Sequence, residues 1–194
     1  MFHLCRQPSP LGALTLVSSA GALVGLWLEG QKGPADILRE ELEENPDVPV
    51  LAVARKWLNA YFAGERPAMA DIPLAPAGSP FRQAVWKRLL AIPYGECVTY
   101  GQIARELAAE LHKERMASQA VGGAVGHNPI SIIIPCHRVV GSNGSLTGYA
   151  GGIDKKIRLL ELEGVDMHRF FVPGTRGAQR KATPGPGMRQ MAMP

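Results

Sequence analysis

The sequence predicts an α+β protein, in which a small antiparallel sheet with helices is followed by a mainly α-helical C-terminal domain with a helix-turn-helix. Apolar residues alternate with period two between positions 14 and 28, which is typical of strands. Helix-start signals at Ser79 and Thr99 open two further segments in a basic half of the chain. A Pro/Gly-rich stretch at 64–79 separates the regions, so we expect domains at 1–78 and 79–166, then a disordered basic tail at 167–194.

Length and composition indicate a globular protein. The 194 residues suffice for one large domain or two small ones, and 46% hydrophobic against 20% charged residues is ordinary. Three cysteines are too few for a disulfide framework and fit a reducing environment. The uncharged run between Arg6 and Glu29 has the length of a membrane span, but Pro8 and Pro10 interrupt it and its alternation is that of a hairpin. We therefore expect a cytoplasmic protein without a membrane segment.

Charge is unevenly distributed along the chain. Residues 1–79 carry six basic and nine acidic side chains, whereas residues 80–194 carry fifteen and eight. A cationic C-terminal region predicts a polyanionic partner, and nucleic acid is the first candidate. Taken alone, the excess would by default be interpreted as a solubilising surface charge.

Three elements are predicted before the boundary. A hairpin turns at Ser18–Gly21 and buries one face of its strands. An acidic helix is expected over Asp36–Glu44, and an amphipathic helix over Val50–Ala63. The apolar side of the second helix carries Trp57, Leu58, Tyr61 and Phe62.

The helix-turn-helix is predicted from capping signals and spacing. Ser79 is an N-cap followed by Pro80 at the first helical position, and Thr99 with Gln102 fits a capping box. A short helix over Ala117–Gly126 follows, so two helices joined by a turn lie in the basic half.

The second of these helices is rich in Ala and Gly, which leaves few side chains long enough to reach base edges. Only Arg115, Ser118 and Gln119 extend far enough, so we expect DNA binding with little sequence preference. Tight packing against another element explains the small residues equally well, and both interpretations stay open.

A candidate nucleophile follows a short β-branched run. Ser131–Ile134 predicts a fully buried strand, and it leads to Cys136, which His137 and Arg138 follow. Neighbouring imidazole and guanidinium groups favour the thiolate form of a cysteine. An inert core cysteine is the alternative. The cysteines that lack such neighbours are predicted to be structural: Cys5 and Cys97.

Two motifs carry a family resemblance: Gly126-His127-Asn128-Pro129 and Ile134-Pro135-Cys136-His137-Arg138-Val139. They strongly resemble the O6-alkylguanine-DNA alkyltransferases, or methylated-DNA–protein-cysteine methyltransferases. The likeness runs from about Pro80 to Gly164 and is weaker over residues 1–79, where it implies a ribonuclease H-like domain. It implies DNA repair by direct reversal of O6-alkylguanine damage, with O4-alkylthymine left open as a second substrate.

The resemblance implies a role for five residues in the reaction. The Cys136 thiolate attacks the alkyl carbon and keeps the alkyl group, so the protein reacts once. His137 acts as base toward Cys136 through a bound water, and Glu163 orients this histidine. Asn128 braces the turn that holds Cys136, and Tyr100 donates a proton or hydrogen bond to the departing guanine.

The resemblance also implies that double-stranded DNA is bound and the damaged nucleotide is flipped out of the helix. In the family an arginine of the second helix fills the gap in the stack. The matching residue here is Gln119, which lacks the charge, so we expect weaker DNA affinity or slower flipping. The expected DNA and substrate contacts are Arg115, Ser118, Gln119, Arg138, Tyr149, Ala150, Gly151 and Lys156.

We expect a monomer that needs no cofactor and no metal. Some relatives bind zinc in the N-terminal domain, but this region offers only His3 and Cys5, two ligands where a structural site needs four.

Two other function classes are weighed against repair. A lesion binder or helix-turn-helix regulator needs no nucleophile, and relatives that bind damage without repairing it lack the cysteine found at Cys136. A cysteine hydrolase usually brings its base from a distant segment, whereas His137 adjoins Cys136, and it would release product over many turnovers.

Overall fold

The fold consists of six strands and five helices within the described residues, which are 1–33, 37–39, 41–68 and 72–174 of this computed structural model. The strands are β1 (Phe2–Gln7), β2 (Leu14–Ser19), β3 (Ala22–Leu28), β4 (Leu42–Glu44), β5 (Val98–Thr99) and β6 (Val139–Val140). The helices are α1 (Pro49–Phe62), α2 (Pro80–Leu90), α3 (Tyr100–Glu110), α4 (Ser118–Gly126) and α5 (Ile153–Leu162). Single 3₁₀ turns lie at Ile37–Arg39, Cys136–Arg138 and Met167–Arg169.

The N-terminal strands form one sheet in the order β3-β2-β1-β4. The predicted hairpin is confirmed, because β2 and β3 pair antiparallel through a two-residue turn. Its residues, Ala20 and Gly21, have φ values of 48° and 77°, and this backbone matches the twist of the flanking strands. β1 pairs antiparallel with β2, whereas β4 joins β1 in parallel. The sheet is therefore antiparallel apart from one short edge strand.

The predicted acidic helix over Asp36–Glu44 is wrong. Ile37–Arg39 form a single 3₁₀ turn and Leu42–Glu44 form β4, while Asp36 and Glu40 lie outside the described residues. Pairing of Phe2 with Leu42 explains the difference, since the open edge of β1 supplies hydrogen bonds that override the local helical pattern.

Both faces of the sheet are covered, so the prediction of a single buried face is also wrong. A small cluster lies on one side and consists of Leu4, Val17, Trp27 and Ile37. The other side carries the main core against α1, which confirms the predicted amphipathic helix. Trp57, Leu58 and Tyr61 of α1 are buried there.

The main core is continuous across the two predicted domains. Its buried members include Leu16 of β2, Leu58 of α1, Trp86 of α2, Leu107 of α3, Val125 of α4 and Leu159 of α5. Backbone hydrogen bonds also join the predicted linker to β3, from Leu23 to Pro73 (2.8 Å) and from Ala75 to Leu23 (2.9 Å). The domain boundary near residue 78 stays a prediction.

The capping signals of the C-terminal half are confirmed. Ser79 accepts a hydrogen bond from the Arg82 amide at the start of α2, and Thr99 with Gln102 forms a complete capping box at α3. α3 and α4 pack together as the helix-turn-helix pair.

The chain remains structured beyond the point where the tail was predicted to begin. Leu146 donates to the Phe171 carbonyl (2.8 Å) and Phe171 donates to Gly144 (3.1 Å), so residues 167–172 are tied to the loop after β6. The prediction of disorder is wrong for these residues, and residues 175–194 lie outside the described part of the chain. No helix among the described residues has the length and apolar character needed to cross a membrane.

Candidate active site

The segment that leads to Cys136 docks on the edge of the N-terminal sheet. Leu26 of β3 donates to the Pro129 carbonyl (2.9 Å) and accepts from Ser131 (2.8 Å). The predicted strand at Ser131–Ile134 is wrong, although all four residues are buried. After this one bridge the chain turns, with Ile132 at a left-handed φ of 69°, and Ile133 donates back to Ser131. A buried apolar run therefore forms a turn that presents Cys136.

A short parallel strand pair places the Cys136 turn beside the helix-turn-helix. β5 pairs with β6, with Val98 opposite Val139 and Thr99 opposite Val140. β6 directly follows the 3₁₀ turn Cys136–Arg138, and β5 directly precedes α3, which begins at Tyr100. Strands of two residues have no periodicity, so no sequence signal could have found this pair.

Asn128 contacts the Cys136 turn at several points. Its side-chain amide donates to the carbonyls of Ile134 (2.8 Å) and Ile130 (3.3 Å) and to Sγ of Cys136 (3.1 Å). Its Oδ1 accepts from the Ile130 amide (3.0 Å). These are bracing contacts, and a donor on Sγ stabilises the thiolate relative to the thiol.

Replacing Asn128 with alanine is expected to lower the free energy of unfolding by about 2–4 kcal/mol, because the buried Ile130 amide loses its acceptor and the carbonyls of Ile130 and Ile134 each lose one of two donors. Urea denaturation measures this loss. The control is His127→Ala at the adjacent exposed position, for which we expect a change below about 1 kcal/mol. Equal stability of the two variants would show that the Asn128 contacts do not hold the turn.

The Cys136 thiol is almost enclosed, with 6% of the residue exposed. Burial raises its pKa above the ordinary value, and the Asn128 hydrogen bond and the Lys156 charge only partly offset this. The thiol is therefore protonated at rest and needs a base.

Arg138 lies in a buried ion pair with Glu163. Its Nε and Nη2 donate to Glu163 (2.8 and 2.9 Å) and its Nη1 donates to the Ile92 carbonyl (2.6 Å). The guanidinium is committed to this buried ion pair, and contact of Arg138 with DNA or substrate stays a prediction.

His137 is fully buried and its ring is held by Glu163. Burial lowers the pKa of its imidazole, which outweighs the contribution of Glu163, so the ring is neutral. Nε2 lies 2.7 Å from Oε1 of Glu163. A carboxylate only accepts, so Nε2 carries the proton and Nδ1 has the free lone pair. Nδ1 is buried and has no hydrogen-bond partner among the described residues.

Glu163 caps the C-terminal end of α5, where the helix dipole disfavours a carboxylate. Burial also acts to raise its pKa, but hydrogen bonds and charge from His137 and Arg138 prevail and hold the pKa far below its usual range. Tyr61 (2.7 Å) and the Gly95 amide (3.1 Å) donate to the same carboxylate. With five donors, Glu163 stays ionised and fixes the His137 ring.

The loop between β6 and α5 carries the predicted pocket residues. Lys156 is fully buried and donates to the carbonyls of Val139 (2.6 Å) and Thr147 (3.0 Å), and burial lowers its pKa to about 8. Lys156 therefore links β6 to the loop that follows it. Tyr100 donates to the same Thr147 carbonyl (3.2 Å). Tyr149 is buried, and Gly151 packs against its ring while Ala150 is exposed.

Both interpretations of the small residues in α4 apply to different sides of the helix. Val121 and Ala124 are buried, and Gly122 lies against the Tyr100 ring. Gln119 and its neighbours Arg115 and Ser118 are exposed near the start of the helix. The structure thus leaves these three side chains free to reach DNA.

Sequence reasoning missed two partners of Glu163, the Tyr61 hydroxyl and the Gly95 amide. Tyr61 was assigned only to the apolar side of its helix, and 102 positions separate it from Glu163. Cys5 and Cys97 remain candidates for structural roles, since burial raises the pKa of both thiols. Among the described residues no group of three or more His, Cys, Asp or Glu side chains is placed to hold a metal ion.

Comparisons with known proteins find a matching family and similar chains. Two models of 6-O-methylguanine DNA methyltransferase match the chain, the DNA binding domain at residues 80–165 and the ribonuclease-like domain at residues 7–76. The methylated-DNA–protein-cysteine methyltransferase of Mycobacterium tuberculosis is 46% identical over 164 residues, which cover 84% of this chain and 93% of that protein. Its Haemophilus influenzae counterpart is 41% identical over 162 residues, or 80% and 83% of the two chains.

The solved structure of Mycobacterium tuberculosis OGT in complex with DNA has a similar fold, with a TM-score of 0.73 and 44% identity. The match covers 87% of this chain and 94% of that one.

Proposed function

Because this chain belongs to the methylated-DNA–protein-cysteine methyltransferase family, we propose that it repairs DNA by moving the alkyl group of O6-alkylguanine onto Cys136. The observation that carries the proposal is the buried relay. Asn128 donates to Sγ of Cys136, and the adjacent His137 is fixed by Glu163 at 2.7 Å. A nucleophile, a base and an orienting carboxylate are the parts that cysteine alkylation requires.

The reaction begins from a neutral thiol and a neutral imidazole. His137 Nδ1 takes the proton from Sγ through a water, and Glu163 stabilises the imidazolium. Sγ then attacks the alkyl carbon, so the S–C bond forms as the C–O6 bond breaks and its electron pair passes to guanine. Tyr100, whose hydroxyl donates to the Thr147 carbonyl in the structure, redirects this proton or hydrogen bond to the guanine ring, and burial keeps its pKa above the ordinary value.

The product explains why one molecule repairs one lesion. A thioether is uncharged and is not displaced by water, and no described residue is placed as a second nucleophile to release Cys136. The partner we propose is double-stranded DNA, bound with little sequence preference by a monomeric cytoplasmic protein. The nucleotide is flipped out to reach Cys136, with Tyr149, Ala150 and Gly151 lining its pocket.

Peptide mass mapping after incubation with an O6-methylguanine oligonucleotide tests this function. We expect about one methyl group per protein, located on Cys136. A methyl group on another residue, or none in a folded sample, would overturn the proposal. Repeated turnover on a model ester would instead indicate the hydrolase, and retention of intact lesion would indicate a non-repairing binder.

Replacing Gln119 with arginine is expected to raise DNA affinity about threefold to tenfold and to increase the single-turnover rate. The reason is that the added charge reaches phosphate or the unstacked site from the exposed start of α4. In DNA titrations at several salt concentrations, the slope of log affinity against log salt concentration should be steeper by about one ion. Ala52→Arg, at an exposed position of α1, is the control for charge alone. An unchanged or slower rate in the Gln119 variant would show that glutamine does not limit flipping.

A further inference from the structure

Tyr61 of α1 reaches across the core to the active-site carboxylate. Its hydroxyl donates to Oε1 of Glu163 at 2.7 Å, and only 1% of the residue is exposed. Its ring is stacked on Trp57, with centroids 5.3 Å apart, and meets Tyr94 edge-on at 6.0 Å. A buried side chain packed against two aromatic rings cannot swing away, so its hydroxyl is a fixed donor.

The acceptor of this bond is the oxygen that also holds His137. Oε1 of Glu163 accepts from Tyr61 and His137 Nε2 at 2.7 Å each and from Arg138 Nη2 at 2.9 Å. Each donor on a carboxylate oxygen withdraws part of its negative charge from the others. Tyr61 therefore anchors Glu163 and at the same time weakens its attraction for an imidazolium.

We propose that Tyr61 is a positioning residue, through which the N-terminal half of the protein sets the proton affinity of His137. The inference rests on the proposed function, since His137 takes the Cys136 proton there. A moderated base suits a single proton transfer, because a histidine that were charged at rest could not accept the proton.

Among the charged and titratable groups around His137, Tyr61 is the hydrogen-bond donor chosen for substitution. These groups come from the Cys136 turn, from α5 and its end, from the aromatic cluster around the carboxylate, and from the segments before β5 and α5. They are Cys136, Arg138, Lys156, Glu163, Tyr61, Tyr94, Cys97 and Tyr149. Burial and the Glu163 charge raise the pKa of Tyr61 strongly, so its hydroxyl donates throughout the working pH range. Four of the other groups already have a role in the site and are therefore not substituted: Cys136, Arg138, Lys156 and Glu163. Tyr94 donates to a backbone carbonyl and not to Glu163.

The test compares the single-turnover rate of Tyr61→Phe with wild type as a function of pH, using an O6-methylguanine oligonucleotide. Loss of the hydroxyl leaves more charge on Oε1, which stabilises the imidazolium and raises the pKa of His137. The acid limb of the rate profile should move to higher pH by about half to one unit. Tyr94→Phe is the matched control, because Tyr94 lies in the same cluster but donates to the Leu162 carbonyl (3.1 Å), and its limb should not move.

NMR titration of the His137 ring in the free protein gives a second readout that needs no reaction. We expect the same shift in Tyr61→Phe and none in Tyr94→Phe. The inference would be overturned if a folded Tyr61→Phe protein kept both the wild-type acid limb of the rate profile and the wild-type His137 titration. It would also be overturned if Tyr61→Phe and Tyr94→Phe shifted them equally. Absence of methyl transfer by wild type would overturn the proposed function instead, and the NMR titration would then decide the role of Tyr61 separately.

Discussion

Replacing Glu163 with glutamine should lower the free energy of unfolding by about 3–5 kcal/mol and slow methyl transfer by at least about a hundredfold. The stability loss arises because Arg138, which is 9% exposed, keeps its charge without a counter-ion. The amide also places N–H groups where five donors now converge. The rate falls because the imidazolium of His137 loses the anion that stabilises it.

Urea denaturation and single-turnover kinetics on the folded fraction measure the two effects. Glu161→Gln, an exposed position in the same helix, is the control and should change stability by less than about 0.5 kcal/mol. If the free energy of unfolding of Glu163→Gln falls by less than about 1 kcal/mol, the buried ion pair does not stabilise the fold as we expect.

The stability difference at Glu163 should also depend on pH in a defined direction. The folded pKa is depressed, so the stabilisation is complete above the unfolded value of about 4.3 and is lost as pH falls below it toward the folded pKa. Glutamine does not titrate, so wild type and variant should converge on acidification. If the difference in the free energy of unfolding between wild type and Glu163→Gln became larger below pH 4, the depressed pKa of Glu163 would be contradicted.

Replacing Cys136 with alanine should abolish methyl transfer completely while leaving DNA binding within about twofold of wild type. The sulfur is the only group proposed to form the new bond, so no residual pathway is expected. Removing one buried, uncharged thiol should change stability by only about 1 kcal/mol, which separates loss of chemistry from loss of fold. Label transfer from methylated oligonucleotide and gel-shift titration measure the two properties.

Cys97→Ala is the matched control for this experiment. Cys97 is half-buried and its thiol also has a raised pKa, but the charged groups that act on it are Glu163, Lys156, Arg169 and Arg138, with no imidazole among them. This variant should transfer one methyl group as wild type does. If transfer survives in Cys136→Ala and disappears in Cys97→Ala, the nucleophile has been misassigned.

Local chemistry in the sequence was sufficient for the elements that depend on near neighbours. The hairpin around Ala20-Gly21, the N-caps at Ser79 and Thr99, and α1 are each specified within a few residues, by turn residues, capping side chains or apolar period. The motif around Cys136 belongs here too, because nucleophile and base are adjacent in the chain.

Tertiary structure alone decided which groups these residues meet. β4 replaced a predicted helix, because the edge of β1 offered pairing that no local pattern encodes. Ser131–Ile134 form a turn after a single bridge between Ile130 and β3. Arg138 turned inward to Glu163, and Tyr61 reached the same carboxylate from 102 residues away. The sequence determined that a cysteine and a histidine stand together, whereas burial and long-range hydrogen bonds determined their protonation. Those energies depend on surroundings that exist only once the chain has folded.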